Sequence, residues 1–188
     1  MEELFSNNTS SIVASDRILY TPSSFARSSL LHLQEIGELT ALRPHVSSRS
    51  NLQSFLFFTV IDGAGKLQYG EKEYKLGAGD CVFIDCRNPY SHTTDPDNLW
   101  ILRWVHFYGP TVPSIYDKYK ERGGRPVFHP STTEEVEKAW TSLFDTAKSA
   151  DYMRDMKINA ALAELLVLVM SESWHPEDQH SKEEGQRC

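Results

Sequence analysis

Between Ser54 and Tyr108 the sequence consists of short apolar runs separated by glycine-containing turns. The run from Phe55 to Ile61 ends in Asp-Gly-Ala-Gly, where glycine can take the positive φ that tight hairpin turns require. Further turns at Gly70 and at residues 77–80 are followed by the run from Cys81 to Asp85. Turns this closely spaced are typical of antiparallel strands in a sandwich or small barrel. The stretch therefore predicts a barrel that can enclose one small molecule.

Composition limits the class of protein. The 188 residues suffice for one well-cored domain, and no apolar run is long enough to span a bilayer. The net charge of −7 argues against this polypeptide wrapping nucleic acid by itself, because phosphate binding needs a concentrated basic surface. The start lacks the pattern of a secretory signal, and Cys81, Cys86 and Cys188 lack a disulfide or zinc spacing. These features predict a cytoplasmic protein.

The chain divides into an N-terminal arm, a barrel, a helical segment and a charged linker or tail, at residues 1–28, 29–110, 111–174 and 175–188. The arm is polar with isolated apolar anchors, and a disordered leader fits the same pattern. Within the barrel segment, residues 29–35 and 38–42 are interpreted as two strands on either side of Gly37.

The segment after the barrel predicts two or three helices. Residues 115–122 could form a short helix, and Ser131 to Glu134 offer an N-cap for a second, amphipathic one. The third, from Asp151 to Trp174, carries a broad apolar stripe that includes Ile158, Leu162, Leu165, Leu166 and Val169. A stripe this wide can contact both the barrel and a second chain, which predicts a homodimer through these residues. The alternative is burial of the whole helix within one chain.

Catalytic and metal-binding patterns are missing. The glycine-turn pattern resembles the cupin barrel, and many cupins bind a metal through a His-x-His pair, a nearby Glu and a later His. Here His45 is followed by Val46 and Ser47, and Leu56 lies about where the acid would be. We therefore expect no metal, no cofactor and no enzymatic activity. Asp80 and Asp85 are interpreted as turn-stabilising residues.

The last long strand suggests a ligand pocket. Alternation along residues 100–108 places Trp100, Leu102, Trp104, His106 and Tyr108 on one face. Two tryptophans there could stack on the C–H faces of a sugar, although an aromatic core explains them equally well. The polar groups available near strand ends to orient a ligand are Arg43, His45, Arg49, Tyr90 and His92.

Two motifs carry a family resemblance. The sequence IDCRNPYSH at residues 84–92 and the pattern Trp-x3-Trp-Val-His-Phe at residues 100–107 resemble the N-terminal effector-binding and dimerisation domain of AraC-type transcription regulators. The resemblance extends from about Leu30 to Trp174. It implies a mainly β fold with C-terminal helices, in which a cupin-like antiparallel β-barrel (jelly roll) precedes two or three α-helices.

The family resemblance also implies a function. An effector, often a sugar, would bind in the barrel under the N-terminal arm, and the C-terminal helices would pair two subunits. Carried over by position, the pocket residues are Arg49, His92, Leu102 and Trp104, with Arg43 as a competing arginine because it shares an Arg-Pro pair. Leu102 replaces a polar position of the family's sugar site, which leaves the identity of the effector open.

DNA binding would belong to a separate part of the protein. The two helix-turn-helix units of this family are not expected in the residues after Trp174, so DNA would be bound only through a separate C-terminal domain. The alternative function is a small metal-dependent cupin enzyme, for example a sugar isomerase that uses His45 and His92.

Overall fold

The computed structural model describes residues 5–9 and 12–173, and within them the chain forms eleven strands and four helices. In chain order these are β1 (Phe5–Thr9), β2 (Val13–Leu19), α1 (Ser24–Ser29), β3 (His32–Ala41), β4 (Val46–Arg49), β5 (Phe55–Asp62), β6 (Ala64–Tyr69), β7 (Lys72–Gly77), β8 (Cys81–Asp85), β9 (Tyr90–Thr94), β10 (Ile101–Tyr108), α2 (Val112–Glu121), β11 (Val127–Phe128), α3 (Thr133–Lys148) and α4 (Arg154–Glu172).

The strands form two antiparallel sheets. The larger has the order β1-β2-β3-β10-β5-β8-β11, and the smaller has the order β4-β9-β6-β7. One apolar cluster lies between the sheets, and a second joins the larger sheet to the helices. The predicted fold, a cupin-like antiparallel jelly roll followed by helices, is confirmed, and three helices follow the long strand β10.

Strand β5 shows why the central apolar run has no polar alternation. Side chains of a strand point alternately to its two faces. Phe55 and Phe57 pack in the cluster shared with the helices, whereas Leu56, Phe58 and Val60 pack between the sheets. All five are 2% exposed or less, so the strand is buried on both faces.

The helices cover the outer face of the larger sheet. Helix α3 begins at the predicted N-cap region, where the Thr132 side chain accepts a hydrogen bond from the Glu135 backbone N–H. The stripe on α4 that was assigned to the dimer contact is at most 4% exposed at Ile158, Leu162, Leu165, Leu166 and Val169. These five side chains pack in the core of their own chain, so a subunit contact through α4 would have to use other residues.

The predicted division of residues 29–42 into two strands is wrong. Gly37 lies inside the continuous strand β3, not in a turn between two strands. Part of the predicted arm, β2, is a full member of the larger sheet and pairs with β3 from Val13 to Leu19. The predictions for residues 1–4, 10–11 and 174–188 lie outside the described residues.

No helix in the described residues is long and apolar enough to cross a membrane. Cys81 and Cys86 are buried and free, and burial raises the pKa of each thiol to about 12. Because the thiolate is the reactive form, both are expected to be unreactive. Cys188 lies outside the described residues.

Candidate functional site

A cavity of about 330 Å³ lies between the two sheets. Its walls come from β2, β3, β5 and β10 of the larger sheet and from β4, β9 and the residue before β4. Six of the seven residues predicted to bind a ligand line it, namely His45, Arg49, Tyr90, His92, Leu102 and Trp104. The seventh, Arg43, is exposed and is not among the lining residues.

Strand register brings these side chains together. In an antiparallel pair, directly opposite residues project from the same face of the sheet. On the smaller sheet, β4 pairs with β9 so that Arg49 is opposite Tyr90 and Ser47 is opposite His92. On the larger sheet, β3 pairs with β10 so that residues 35, 37 and 39 are opposite residues 106, 104 and 102.

The two tryptophans of the β10 region have different roles. Trp100 is completely buried between the sheets, as in the aromatic-core alternative. Trp104 lines the cavity, and its indole Nε1 donates a hydrogen bond of 3.1 Å to Glu35. Its ring lies against Gly37, where an added Cβ would be only 2.6 Å from ring atoms. Gly37 is therefore required for close approach of the indole to the β3 backbone.

Three histidines line the cavity as neutral imidazoles near pH 7. Burial, with smaller contributions from His45, His106 and Arg49, lowers the pKa of His92 to about 3. Burial, with a contribution from Arg49, lowers the pKa of His106 to about 4. Burial also lowers the pKa of His45. A neutral imidazole offers one donor and one acceptor, so all three can hydrogen-bond to uncharged groups.

Some of the ring nitrogens have no partner. His106 Nδ1 lies 3.0 Å from the Ser54 hydroxyl. By contrast, Nδ1 of His45 and Nδ1 of His92 are buried without a hydrogen-bond partner among the described residues. Buried polar atoms of folded proteins nearly always have a partner, so unpaired ones beside a cavity indicate groups that a bound molecule or water would satisfy.

Asp80 and Asp85, the two acidic residues singled out in the sequence, accept hydrogen bonds from backbone N–H groups. The Asp80 carboxylate accepts a 2.8 Å hydrogen bond from the Gly77 N–H, and the Asp85 carboxylate accepts one of 3.0 Å from the Arg87 N–H. Their predicted turn roles are confirmed. Across the described part of the chain, no group of three or more His, Cys, Asp or Glu side chains could hold a metal ion. Leu56, which lies about where the cupin pattern would place a metal-binding acid, is on the wall of the cavity.

Three ionisable lining residues were missing from the predicted site: Arg17, Glu35 and His106. His106 had a signal, because alternation places it on the same face as Trp104. Glu35 and Arg17 had none, because they reach the cavity only through the pairing of β3 with β10 and of β2 with β3.

Comparisons with known proteins agree with this architecture. The family model described as AraC-like ligand binding domain matches residues 37–166. The solved structure of the AraC-like transcriptional activator CuxR superposes with a TM-score of 0.51 at 10% identity, covering 84% of this chain and 56% of the activator. The chain thus spans little more than half of that protein. At this identity, the likeness establishes the fold alone.

Two further solved structures are more distant. KdgF from Halomonas sp. is 14% identical with a TM-score of 0.39, covering 54% of this chain and 85% of its own. A mutant of Bacillus subtilis oxalate decarboxylase OxdC is 11% identical with a TM-score of 0.41, covering 54% of this chain and 27% of its own. No curated protein matches the sequence.

Proposed function

Since the chain belongs to the family of AraC-like ligand-binding domains, we propose that it is the regulatory domain of an AraC-type transcription regulator and that its cavity binds a small carbohydrate effector. The observation that carries this proposal is the combination of the Trp104 indole with unpaired ring nitrogens of His45 and His92 around one cavity. A sugar stacks its C–H face on an aromatic ring and needs donors and acceptors for its hydroxyls.

The contacts behind the cavity wall support a regulatory role. Trp140 of α3 donates a hydrogen bond of 3.2 Å from its indole to the backbone carbonyl of Trp104. The Arg103 guanidinium lies 4.8 Å from the centre of the Trp140 ring. Lys148 at the end of α3 pairs with Asp16 of β2 at 3.2 Å. Strands that line the cavity are therefore bonded to α3, so an effector that favours one position of β10 would also favour one position of the helices.

A second part of the proposal is assembly. The outer side of α4 exposes Met156, and Val167 is 64% exposed. Val167 also lines a largely apolar groove between α2 and α4, together with Ile115, Ala163 and Met170. We propose that two chains pair through this groove and that a helix-turn-helix domain of a longer cytoplasmic protein binds DNA.

Pairing through the groove predicts a monomeric variant. Sedimentation at micromolar concentration is expected to give twice the 21.4 kDa chain mass for the wild type. Val167→Asp should raise the dimer dissociation constant at least about tenfold, because it buries an unpaired carboxylate. Glu164→Gln, an exposed change on the same helix that is not in the groove lining, should leave the dimer intact. A wild type that sediments only as a 21.4 kDa species would refute the dimer.

A thermal-shift screen of mono- and disaccharides tests effector binding. A ligand at about 100 times its dissociation constant adds about 2.7 kcal/mol of stability. For a chain of this size that corresponds to a rise in Tm of roughly 5–11 °C. Trp104→Ala should abolish the shift, because it removes the stacking surface. Tyr152→Ala removes an aromatic ring that is 94% exposed and should preserve it. The proposal fails if no compound shifts the wild type, or if Trp104→Ala responds equally.

The metal-dependent enzyme alternative predicts a different measurement. Stoichiometric zinc, iron or manganese in the purified protein would favour a cupin enzyme over a sensor. Metal analysis by mass spectrometry on the same preparation used for the screen separates the two functions.

A further inference from the structure

The cavity is more positive than the rest of the protein. The chain as a whole has a net charge of −7. Yet the charged side chains that line the cavity at pH 7 are two guanidinium groups, Arg17 and Arg49, and one carboxylate, Glu35. The lining histidines add no charge, because their pKa values are lowered. The lining therefore has one more positive charge than negative charges.

Glu35 already has its partners. Its Oε1 atom lies 3.6 Å from Arg17 Nε and accepts the 3.1 Å hydrogen bond from the Trp104 indole. One guanidinium and one N–H therefore share this carboxylate. The ion pair balances the charge of Arg17, whose buried Nε has no hydrogen-bond partner among the described residues, and the excess positive charge belongs to Arg49.

Arg49 pairs with Tyr90 through the β4–β9 ladder, but its guanidinium forms no ion pair or hydrogen bond with any of the described residues. It is the last residue of β4, it is exposed, and it lines the cavity opposite Tyr90 on β9. Its charge nevertheless acts inside the cavity, since it helps to lower the pKa of both His92 and His106. A ligand that fills the cavity would displace water from this guanidinium, and a desolvated charge without a counter-ion is costly.

These observations limit the chemistry of the effector. We infer that it is an acidic sugar, whose carboxylate pairs with Arg49 while its hydroxyls bond to the neutral imidazoles and its C–H face stacks on Trp104. This inference rests on the proposed carbohydrate-sensing function. A carboxylate is favoured over a phosphate because one free guanidinium matches one planar carboxylate with two parallel hydrogen bonds. A phosphate dianion would leave a second negative charge near Glu35.

Matched pairs of sugars test the inference. Isothermal titration at pH 7 would compare D-glucuronate with D-glucose and D-galacturonate with D-galactose. For at least one pair, the acid is expected to bind at least tenfold more tightly than the neutral sugar. Arg49→Gln should weaken binding of the acid about ten- to hundredfold, the usual range for loss of a charge-assisted pair, and should change neutral-sugar binding less than twofold. Arg43→Gln, the exposed neighbour outside the cavity lining, should change neither.

The outcomes distinguish the acidic-sugar inference from the proposed carbohydrate-sensing function on which it rests. Neutral sugars that bind as tightly as their acids would overturn the acidic effector and leave carbohydrate sensing intact. The same holds if Arg49→Gln weakens both members of a pair equally, or if glucose 6-phosphate or galactose 6-phosphate binds more tightly than the uronates. If no sugar binds in any form, both proposals fail.

Discussion

Changing Gly65 to alanine is expected to destabilise the protein by about 3 kcal/mol, near the upper end for an overpacked core. A Cβ at this position would lie 2.1 Å from Cζ3 of Trp100 and 2.4 Å from the backbone oxygen of Thr93. Trp100 is fully buried, so its ring has no free space to move into. For a chain of this length, the melting temperature should fall by roughly 6–12 °C.

Two comparisons isolate the steric cause. Gly70→Ala places a methyl group where no atom lies within 4 Å, so it should cost only about 1 kcal/mol for the positive φ of 59°. In a Trp100→Leu background, the cost of Gly65→Ala should be smaller than in the wild type, because the clashing ring is gone. Equal costs in the two backgrounds, measured by urea unfolding, would contradict this packing.

The second large effect is a loss of stability in mild acid. His92 and His106 remain neutral in the folded protein, with pKa values of about 3 and about 4, whereas the unfolded chain titrates near 6.5. Below pH 6.5 the unfolded state therefore binds more protons, and stability falls as pH falls. At pH 5 each histidine should lower the free energy of unfolding by about 2 kcal/mol relative to pH 8. The pair should lower the melting temperature by roughly 8–16 °C.

The pH window distinguishes the histidines from the carboxylates. Hydrogen bonds lower the pKa values of the Asp85 and Asp155 carboxyl groups, so these two start to lose their stabilisation only as pH approaches the ordinary aspartate pKa of 3.8. The double variant His92→Gln with His106→Gln should therefore flatten the profile between pH 8 and pH 5. A wild-type profile that is flat across this range would show that the two imidazoles are not held neutral.

Much of the fold could be predicted from local signals. The hairpin of β6 and β7 follows from Gly70, because a tight turn with positive φ is encoded within a few residues. The same reasoning misread Gly37, whose role is to admit the Trp104 ring from a strand 67 residues away. Strand β2 was missed because Ile18 is its one buried residue and its pairing with β3 rests on backbone groups.

The site was predicted only in part, because local patterns identify some of its residues and strand pairing brings in the others. Alternation along β10 identified Leu102 and Trp104, which line the cavity. The Glu35 carboxylate and its partner Arg17 depend on the register of three strands, and no short sequence pattern encodes that register. The broad stripe on α4 was also read correctly as apolar. Its assignment to core or subunit contact depends on how α4 packs on α3 and the sheet.

Hydrogen–deuterium exchange tests the central claim most directly, namely that an effector occupies the cavity between the two sheets. The protein would be compared with and without the carbohydrate that gives the largest thermal shift. Protection is expected in β4, β9 and β10, whose residues form the cavity walls, with a smaller effect in α3 behind Trp104. Protection confined to the groove between α2 and α4, with unchanged exchange in those three strands, would contradict the account.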